Sequence, residues 1–589
     1  MGCHGGSKGR AVMNRRLNKR VFPANTLFSD ILGKAADRGI LLFLMAALTV
    51  FIFYPLFCLS LKSILIDGRL TLQEYENIFA KNAISLRHSL FTASLSAVFS
   101  TILGILVAMK LSVSRGKRKL FYRAILLMTM VSPPFISSLF YIQLFGRRGW
   151  ITWRLLGLSI NPYNKWGIIA MQSIHFTSLN ALFMTGIMEK LDRRMIYAAR
   201  DLGASSTAAF FQVIVPMLKP AMWGCLILSF VRSLSDFGTP AVIGGRYSTL
   251  ASEIYMQLIG YAKTEKAAAM NMLLFVPAVL AFISYRLLMK QSDRMLASEN
   301  GKTEGEFPIR FKGFLNLFMN LGVWLFYGMM LLQYFCIFIT GFLKSRKVVY
   351  SFSFENVEKI AEFHKSSILR SVEYSLFVAI FGTLFGLLLS YYLERRKVAG
   401  KWGWDFLASL PYLLPGTCFG LGYIMAFNRE PLKLTGTTAI IVLNMTFKQL
   451  PAVTKIGSAS LAQIHRRLED AARDLGAGRL SVIRDVILPN LRTAFVTGFI
   501  YNFASSMTTA GAVLFLISAR HKVAVYTLFD AINSGEYGVA SLISTIIIVI
   551  TIVVSGGISL LFAEKVEKGP RGKRNQVWGK ERVDVSGNQ

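Results

Sequence analysis

Long apolar runs recur along the whole chain and constrain its fold more than any other feature. The chain is 53% hydrophobic, with a mean hydropathy of +0.47, well above the composition of a soluble protein. Each run approaches the ~20 residues that a helix needs to cross a bilayer. We predict twelve spans, at residues 40–61, 89–111, 120–145, 167–188, 221–243, 271–290, 314–343, 371–393, 404–427, 437–454, 492–517 and 538–563. The predicted fold is an all-α polytopic membrane protein.

One heptapeptide, Ala-Ala-Arg-Asp-Leu-Gly-Ala, occurs twice, at Ala198–Ala204 and at Ala471–Ala477. The offset is 273 residues (471 minus 198), close to half the chain. A proline follows each motif glycine by 13 residues, at Pro216 and Pro489. Identity of this length at one offset indicates an internal duplication, and the twelve runs divide six and six in step with it.

The duplication and the polar stretches predict five segments. They are a basic tail (1–39), a first transmembrane domain (40–290), a linker (291–313), a second transmembrane domain (314–564) and a polar tail (565–589). Both domains contain an even number of predicted spans, so the two six-helix repeats are parallel rather than inverted.

The net charge of +34 reflects membrane topology better than nucleic-acid binding. Lysines and arginines cluster in short segments between apolar runs, as at 115–119, 395–397 and 565–574. These segments share one side of the membrane if both termini are cytoplasmic, in agreement with the positive-inside rule. We therefore predict a lipid-embedded protein with cytoplasmic termini and no nucleic-acid partner.

The sequence predicts neither a metal site nor a cofactor. Its five cysteines and six histidines are scattered without ligand spacing. Gly301-Lys302-Thr303 resembles the end of a phosphate-binding loop, but the position of the first glycine is Leu296. Nucleotide chemistry would therefore need a separate subunit.

Both copies of the motif fall in the polar connection between the fourth and fifth spans of their half. Alanines and leucine favour a short helix, and Gly203 suits the turn that ends it. A second helical stretch is predicted over Ser205–Val215, and in the second copy Asp470 is the predicted N-cap. Two like helices on one face fit a partner with two-fold symmetry.

This pattern resembles the "EAA" loop of ABC importer permeases, in which Glu-Ala-Ala is followed by glycine and later by an apolar-Pro pair. Tyr197 and Asp470 occupy the place of the glutamate. The resemblance implies a coupling helix in each half that sits in a groove of a cytoplasmic ABC ATPase dimer. The implied coupling residues are Ala198, Ala199, Asp201, Gly203, Pro216, Asp470, Ala471, Ala472, Asp474, Gly476 and Pro489.

Four further segments, 233–240, 242–245, 411–416 and 508–513, are similar to ferric-iron permeases with two fused halves. The resemblance implies the type I importer fold and a non-catalytic permease subunit in the bacterial inner membrane. It also implies an extracytoplasmic binding protein and ferric iron as substrate. A phosphonate, a sulfate-like anion, thiamine or a polyamine remain alternative substrates.

Ionisable residues inside spans are costly and usually face a cavity. The predicted translocation path therefore contains His175, Arg232, Asp236, Lys448 and Thr509. The offset of 273 aligns His175 with Lys448, and Asp236 with Thr509. Alternatively, Arg232 and Asp236 pair on one helix as i, i+4 neighbours. A cationic path suits an anion, whereas Fe³⁺ prefers carboxylates or phenolates.

Two other classes of protein remain open. An ion-driven secondary transporter also has twelve spans and internal repeats, although many such carriers have inverted repeats. A membrane enzyme would need clustered acid, base or metal groups, and the sequence does not place such groups together.

Overall fold

A computed structural model describes residues 27–66, 68–189, 191–297, 313–346 and 349–567. Helices dominate it, and the all-α class is confirmed. The helices of the first half are α1 (Leu27–Leu48), α2 (Tyr54–Ile64), α3 (Gln73–Lys81), α4 (Ala83–Val113), α5 (Gly116–Val131), α6 (Ile136–Phe145), α7 (Lys165–Met188), α8 (Arg193–Asp201), α9 (Ser206–Ala209), α10 (Val215–Ser235), α11 (Gly238–Ile243), α12 (Leu250–Tyr255) and α13 (Thr264–Ala297).

The second half repeats this order. Its helices are α14 (Gly313–Gly341), α15 (Glu355–Lys359), α16 (Lys365–Phe377), α17 (Thr383–Arg395), α18 (Lys401–Leu413), α19 (Gly416–Ala426), α20 (Thr438–Ala462), α21 (Arg467–Asp474), α22 (Arg479–Ser481), α23 (Leu488–Asn490), α24 (Arg492–Thr508), α25 (Ala524–Asn533) and α26 (Tyr537–Glu567). A small antiparallel hairpin follows the first span of each half. Its strands are β1 (Leu65–Ile66) with β2 (Arg69–Leu70), and β3 (Leu343–Arg346) with β4 (Val349–Phe352).

By length and composition, seven helices of the described chain can cross a membrane, and up to nine if two bent pairs each count as one span. Three predicted spans, at 167–188, 437–454 and 492–517, are outside this set. They correspond to α7, α20 and α24, which bury amide side chains such as Gln172, Asn444 and Asn502. These polar residues lower the apolar content of α7 and α20, whereas α24, with 17 residues, is also short for a span.

Two predicted spans are broken rather than straight. The helical segments Gly116–Val131 and Ile136–Leu155 meet at 103°, and Lys401–Tyr412 meets Gly416–Ala426 at 109°. Each break occurs at a residue that precedes proline, Ser132 or Leu414, and both residues have extended backbone angles. Proline disfavours the helical conformation at the residue before it, which favours a bend at both positions.

The predicted domain boundaries fall within helices at several points. Helix α1 begins inside the predicted basic tail, and α13 continues seven residues past 290 to Ala297. The rest of the predicted linker, except for 313, and the end of the C-terminal tail are outside the described residues. The five-segment division remains a prediction.

The first span of each half packs against the other half. Helix α2 contacts α19, and α14 contacts α4 and α6. In the middle of α1, the buried carboxylate of Asp37 accepts hydrogen bonds from Tyr392 (2.9 Å), Arg396 (3.2 Å) and Arg479 (3.1 Å). All three partners belong to the second half. This Asp37 clamp therefore joins the two repeats beside the second motif.

We predict that Asp37→Asn destabilises the protein, because Arg396 and Arg479 lose a buried counter-charge. The expected loss is about 2 kcal/mol, since Arg479 is partly exposed. The control is Asp485→Asn, whose partner Arg484 lies on the surface. Thermal unfolding in detergent should show a lower midpoint for Asp37→Asn alone. Equal midpoints for both variants would contradict a stabilising role of the Asp37 clamp.

Candidate functional site: two motif helices and an interhelical cavity

The two copies of the motif fold into the same structure, α8 and α21. The amide of Gly203 donates to the carbonyl of Arg200 (2.9 Å), and that of Ala204 donates to Ala199 (3.0 Å). The second copy repeats both bonds, from Gly476 to Arg473 at 2.8 Å and from Ala477 to Ala472 at 2.9 Å. This pairing is a Schellman cap. It requires a left-handed residue, and φ is +88° at Gly203 and +84° at Gly476.

The surface of each motif helix is open, and a leucine projects from its end. Leu202 is 90% exposed and Leu475 is 74% exposed. Most of the predicted coupling residues are also exposed. The exposed members are Ala198, Asp201, Gly203, Pro216, Asp470, Ala471, Asp474, Gly476 and Pro489, while Ala199 and Ala472 are half-buried. Sequence reasoning missed both leucines, although their place before each motif glycine was visible in the duplication. Exposed apolar side chains at the tips of two like helices are typical of surfaces that contact another protein.

The two motif helices are anchored differently. In the first half, Ile196 is fully buried in an apolar cluster. The equivalent residue of the second half, Glu469, is buried and pairs with Arg395 at 3.3 Å. The guanidinium of Arg395 also donates to the carbonyls of Leu461 (2.6 Å) and Ile464 (2.5 Å). Thus the acidic anchor of the second motif is Glu469 and not the residue at the family's glutamate position.

The prediction that Asp470 caps the second motif helix is wrong. The helix begins at Arg467, with Arg466 as N-cap, so Asp470 lies inside the first turn and is exposed. Its preceding residues already have helical backbone angles, which leaves no free amide for a cap to bind. In the first half the cap is Asp192, which accepts from the amide of Arg194 at 2.9 Å.

The spacing from the motif glycine to the following proline is the same in both copies and also has a structural counterpart. A π-helical turn follows each motif, at Phe210–Ile214 and Val482–Ile487. Pro216 and Pro489 then lie at the starts of α10 and α23, directly after the two π turns. The motif helix, the π turn and the proline therefore form one duplicated connector between the fourth and fifth spans of each half.

A cavity of about 370 Å³ lies between the two halves, and all five predicted path residues line it. Those residues are His175, Arg232, Asp236, Lys448 and Thr509. The broken spans also converge here: the walls include Phe135 and Gly416, at the two breaks. A Cβ atom at Gly416 would lie 2.8 Å from the carbonyl carbon of Gly511, so only glycine permits this close backbone contact.

Lys448 supplies hydrogen bonds to free backbone carbonyls at the second break. Its ammonium donates to the carbonyls of Pro411 (2.8 Å) and Leu414 (2.6 Å), at the end of α18. These carbonyls lack helical partners because the chain bends there. The ring of Phe419 lies 5.7 Å away, as in a cation–π contact. Lys448 thus lines the cavity and also caps the broken helix.

Asp236 follows α10, caps the first turn of α11 and belongs to a polar network. One carboxylate oxygen accepts from the amide of Thr239 (3.1 Å), and the other accepts from Gln172 (2.9 Å). The carbonyl oxygen of Gln172 accepts from Ser233 at 2.6 Å. The second half repeats the arrangement: the amide of Gln449 lies 3.2 Å from the hydroxyls of Ser506 and Thr509. Sequence reasoning missed the two glutamines.

Other cavity groups remain available to a passing ligand. Arg232 makes no ion pair with Asp236; it approaches the hydroxyl of Tyr412 in the other half at 3.5 Å. His175 makes no hydrogen bond with any described residue. Tyr501 joins Tyr412 in the wall, so the cavity also presents two phenols. The aligned positions His175 and Lys448 therefore differ, since Lys448 is occupied by backbone carbonyls.

The comparison with known families agrees with this duplicated architecture. The family model "Binding-protein-dependent transport system inner membrane component" matches twice, at residues 100–295 and 382–570, more than half of the chain. The chain belongs to this family. It is therefore a multi-pass inner-membrane component of a binding-protein-dependent ABC importer, and the predicted recognition is confirmed.

Individual relatives cover most of the chain. The ferric transport system permease protein FbpB of Actinobacillus pleuropneumoniae is 27% identical over 87% of this chain and 76% of its own length. A putative ferric transport permease, FbpB 1 of Haemophilus influenzae, is 26% identical over 82% of this chain and 78% of its own. The sulfate permease CysT of Salmonella typhimurium is 31% identical, over 31% of this chain and 72% of its own.

We predict that Lys448→Met lowers stability, because the carbonyls of Pro411 and Leu414 lose their donor. Leaving buried polar groups unpaired costs about 1–3 kcal/mol each. Lys455→Met, on the same helix with a 62% exposed side chain, is the matched control. Thermal unfolding in detergent should separate the two variants. An unchanged midpoint for Lys448→Met would show that the ammonium does not support the break.

Proposed function

We propose that the chain is the permease subunit that moves ferric iron across the membrane, with ATP hydrolysis in a separate subunit. The substrate assignment rests on the share of the chain that each relative covers. Two relatives named as ferric permeases match more than four fifths of the chain, through both halves, whereas the sulfate relative matches about a third. The iron-permease relatives therefore share the fused arrangement as well as the local sequence.

The partner of the motif helices is proposed to be a cytoplasmic ABC ATPase dimer. Two equal helices, each with an exposed leucine, suit a partner with two equal grooves. This assignment places both termini in the cytoplasm, in agreement with the basic segments of the sequence. An extracytoplasmic binding protein would deliver the substrate to the opposite face.

Movement of the motif helices can reach the cavity through short, rigid connections. Each motif leads through its π turn into a fifth span, α10 or α24, that lines the cavity. Arg232 and Tyr412 meet across the two halves, so separation of the halves would open the wall between them. ATP-driven closure of the partner would in this way change which side of the membrane the cavity faces.

The cavity wall offers oxygen and nitrogen atoms that can act as donors to a metal ion. Tyr412, Tyr501 and His175 supply groups that bind Fe³⁺, although the sequence had suggested mainly cations. A sulfate-like anion is the second candidate, because Arg232 and Lys448 also line the wall and a sulfate permease is among the relatives.

The coupling role predicts a specific effect of Gly203→Val combined with Gly476→Val. Valine strains the left-handed conformation at both Schellman caps and deforms both motif helices. In the complex with ATPase and binding protein in liposomes, stimulated ATP hydrolysis should fall about tenfold. The control is Gly186→Val with Gly556→Val, since both glycines have open space at the Cβ position. Equal activity in both double variants would contradict the coupling role.

The substrate assignment predicts which loaded binding protein stimulates this wild-type complex. The Fe³⁺-loaded protein should raise ATP hydrolysis above the rate with the empty one, while sulfate should have no effect. Stimulation by sulfate alone would keep the permease and replace iron by an anion. Failure of any ABC ATPase to associate would contradict the proposed partner of the motif helices.

A further inference from the structure

A second concave surface lies outside the translocation cavity, on the face that carries the motif helices. It is a basic pocket of about 1410 Å³ between the end of α4, the start of α5 and the side of α14. Its six cations are Lys110, Arg115, Lys117, Arg118, Lys119 and Arg193. No carboxylate lines it within the part of the chain that the structure describes. Such a surface attracts an anion.

In the equivalent loop of the second half, cationic side chains pair with carboxylates of the protein itself. There Arg395 pairs with Glu469 at 3.3 Å, Arg396 with Asp37 at 3.2 Å, and Lys401 with Glu394 at 3.0 Å. Protein carboxylates thus compensate the loop that follows the second span of that half.

Among the described residues of the first half, fewer of the pocket's cations are seen to pair with carboxylates. Lys119 pairs with Glu189 at 2.9 Å, and Lys110 donates to the amide oxygen of Asn320 at 2.7 Å. Lys117 and Arg118 are exposed and form no ion pair with a carboxylate among residues 27–297 and 313–567 that the structure describes. Both side chains line the pocket, so it presents at least two cations that lack a carboxylate partner within the described part of the chain.

The walls of the pocket identify the class of anion. Phe121 is 52% exposed and Trp324 is 61% exposed, and both line the pocket together with the cations. Exposed aromatic side chains beside cations are typical of the membrane interface. A free phosphate gains nothing from contact with an apolar wall. A phospholipid has a charged headgroup that suits the cations and acyl chains that suit the aromatic rings.

We propose that this basic pocket binds the headgroup of an anionic phospholipid. Lys117 and Arg118 contact the phosphate, and Phe121 and Trp324 contact the upper part of the acyl chains. Basic pockets between spans on the cytoplasmic side are the usual sites for such headgroups. The lipid would brace α4 and α5 against α14, and so support the connection between the two halves.

The test compares Lys117→Gln with Arg118→Gln, as one double variant, against Lys397→Gln with Lys401→Gln. The control removes the same charge from the symmetry-related loop of the other half. Each purified full-length protein is placed in nanodiscs of phosphatidylcholine, with and without phosphatidylglycerol or cardiolipin. Bound lipid is then measured by native mass spectrometry, and inorganic phosphate is tested as a competitor. A charge-preserving variant, Lys117→Arg with Arg118→Lys, shows whether the altered loop still inserts.

Wild type, the control and the charge-preserving variant are expected to retain anionic lipid over phosphatidylcholine. The Lys117→Gln, Arg118→Gln protein should bind it roughly 30-fold more weakly, the effect of two cations near a lipid phosphate. Equal loss in the control would overturn the proposal, as would an absence of anionic preference in wild type. Displacement of the lipid by inorganic phosphate would assign the pocket to a soluble anion instead. If the Lys117→Gln, Arg118→Gln protein fails to insert, the test is decided by whether wild type prefers anionic lipid to phosphatidylcholine.

Discussion

The structure depends on one constraint: backbone groups freed by a broken helix inside a membrane must find partners within the protein. Two spans break at prolines, and a third ends at Asp236, all beside the same cavity. Lys448 supplies donors to the carbonyls of one break, and Asp236 supplies an acceptor to the amide that follows α10. The residues that make the breaks possible are therefore also the residues that line the cavity.

Duplication gives the chain two copies of one mechanical part, and divergence has changed how each copy is held. The Schellman caps and exposed leucines are the same in both halves. The anchors differ, with Ile196 in an apolar cluster and Glu469 in an ion pair. The two copies thus share the exposed surface, while the internal contacts that position it follow the different neighbours of each half.

Much of the fold and the cavity was predictable, because length and spacing carry that information. Apolar runs located the helices, and the 273-residue offset brought His175 and Lys448 into one candidate path. The bends were not predicted, since run length does not report direction, even where prolines were visible. The glutamine networks and the Glu469 anchor depend on which spans become neighbours after folding, and a single sequence does not encode that in local pattern.

The central claim is that the cavity between the halves is the path and changes the side to which it opens. It is tested by Ser505→Cys, a near-isosteric change in the cavity wall, in a protein whose native cysteines are replaced. Labelling with a membrane-impermeant thiol reagent is compared from each side, without nucleotide and with ATP bound to the partner. The account predicts that the labelled side switches. Labelling from one side in both states, or from neither, would contradict it.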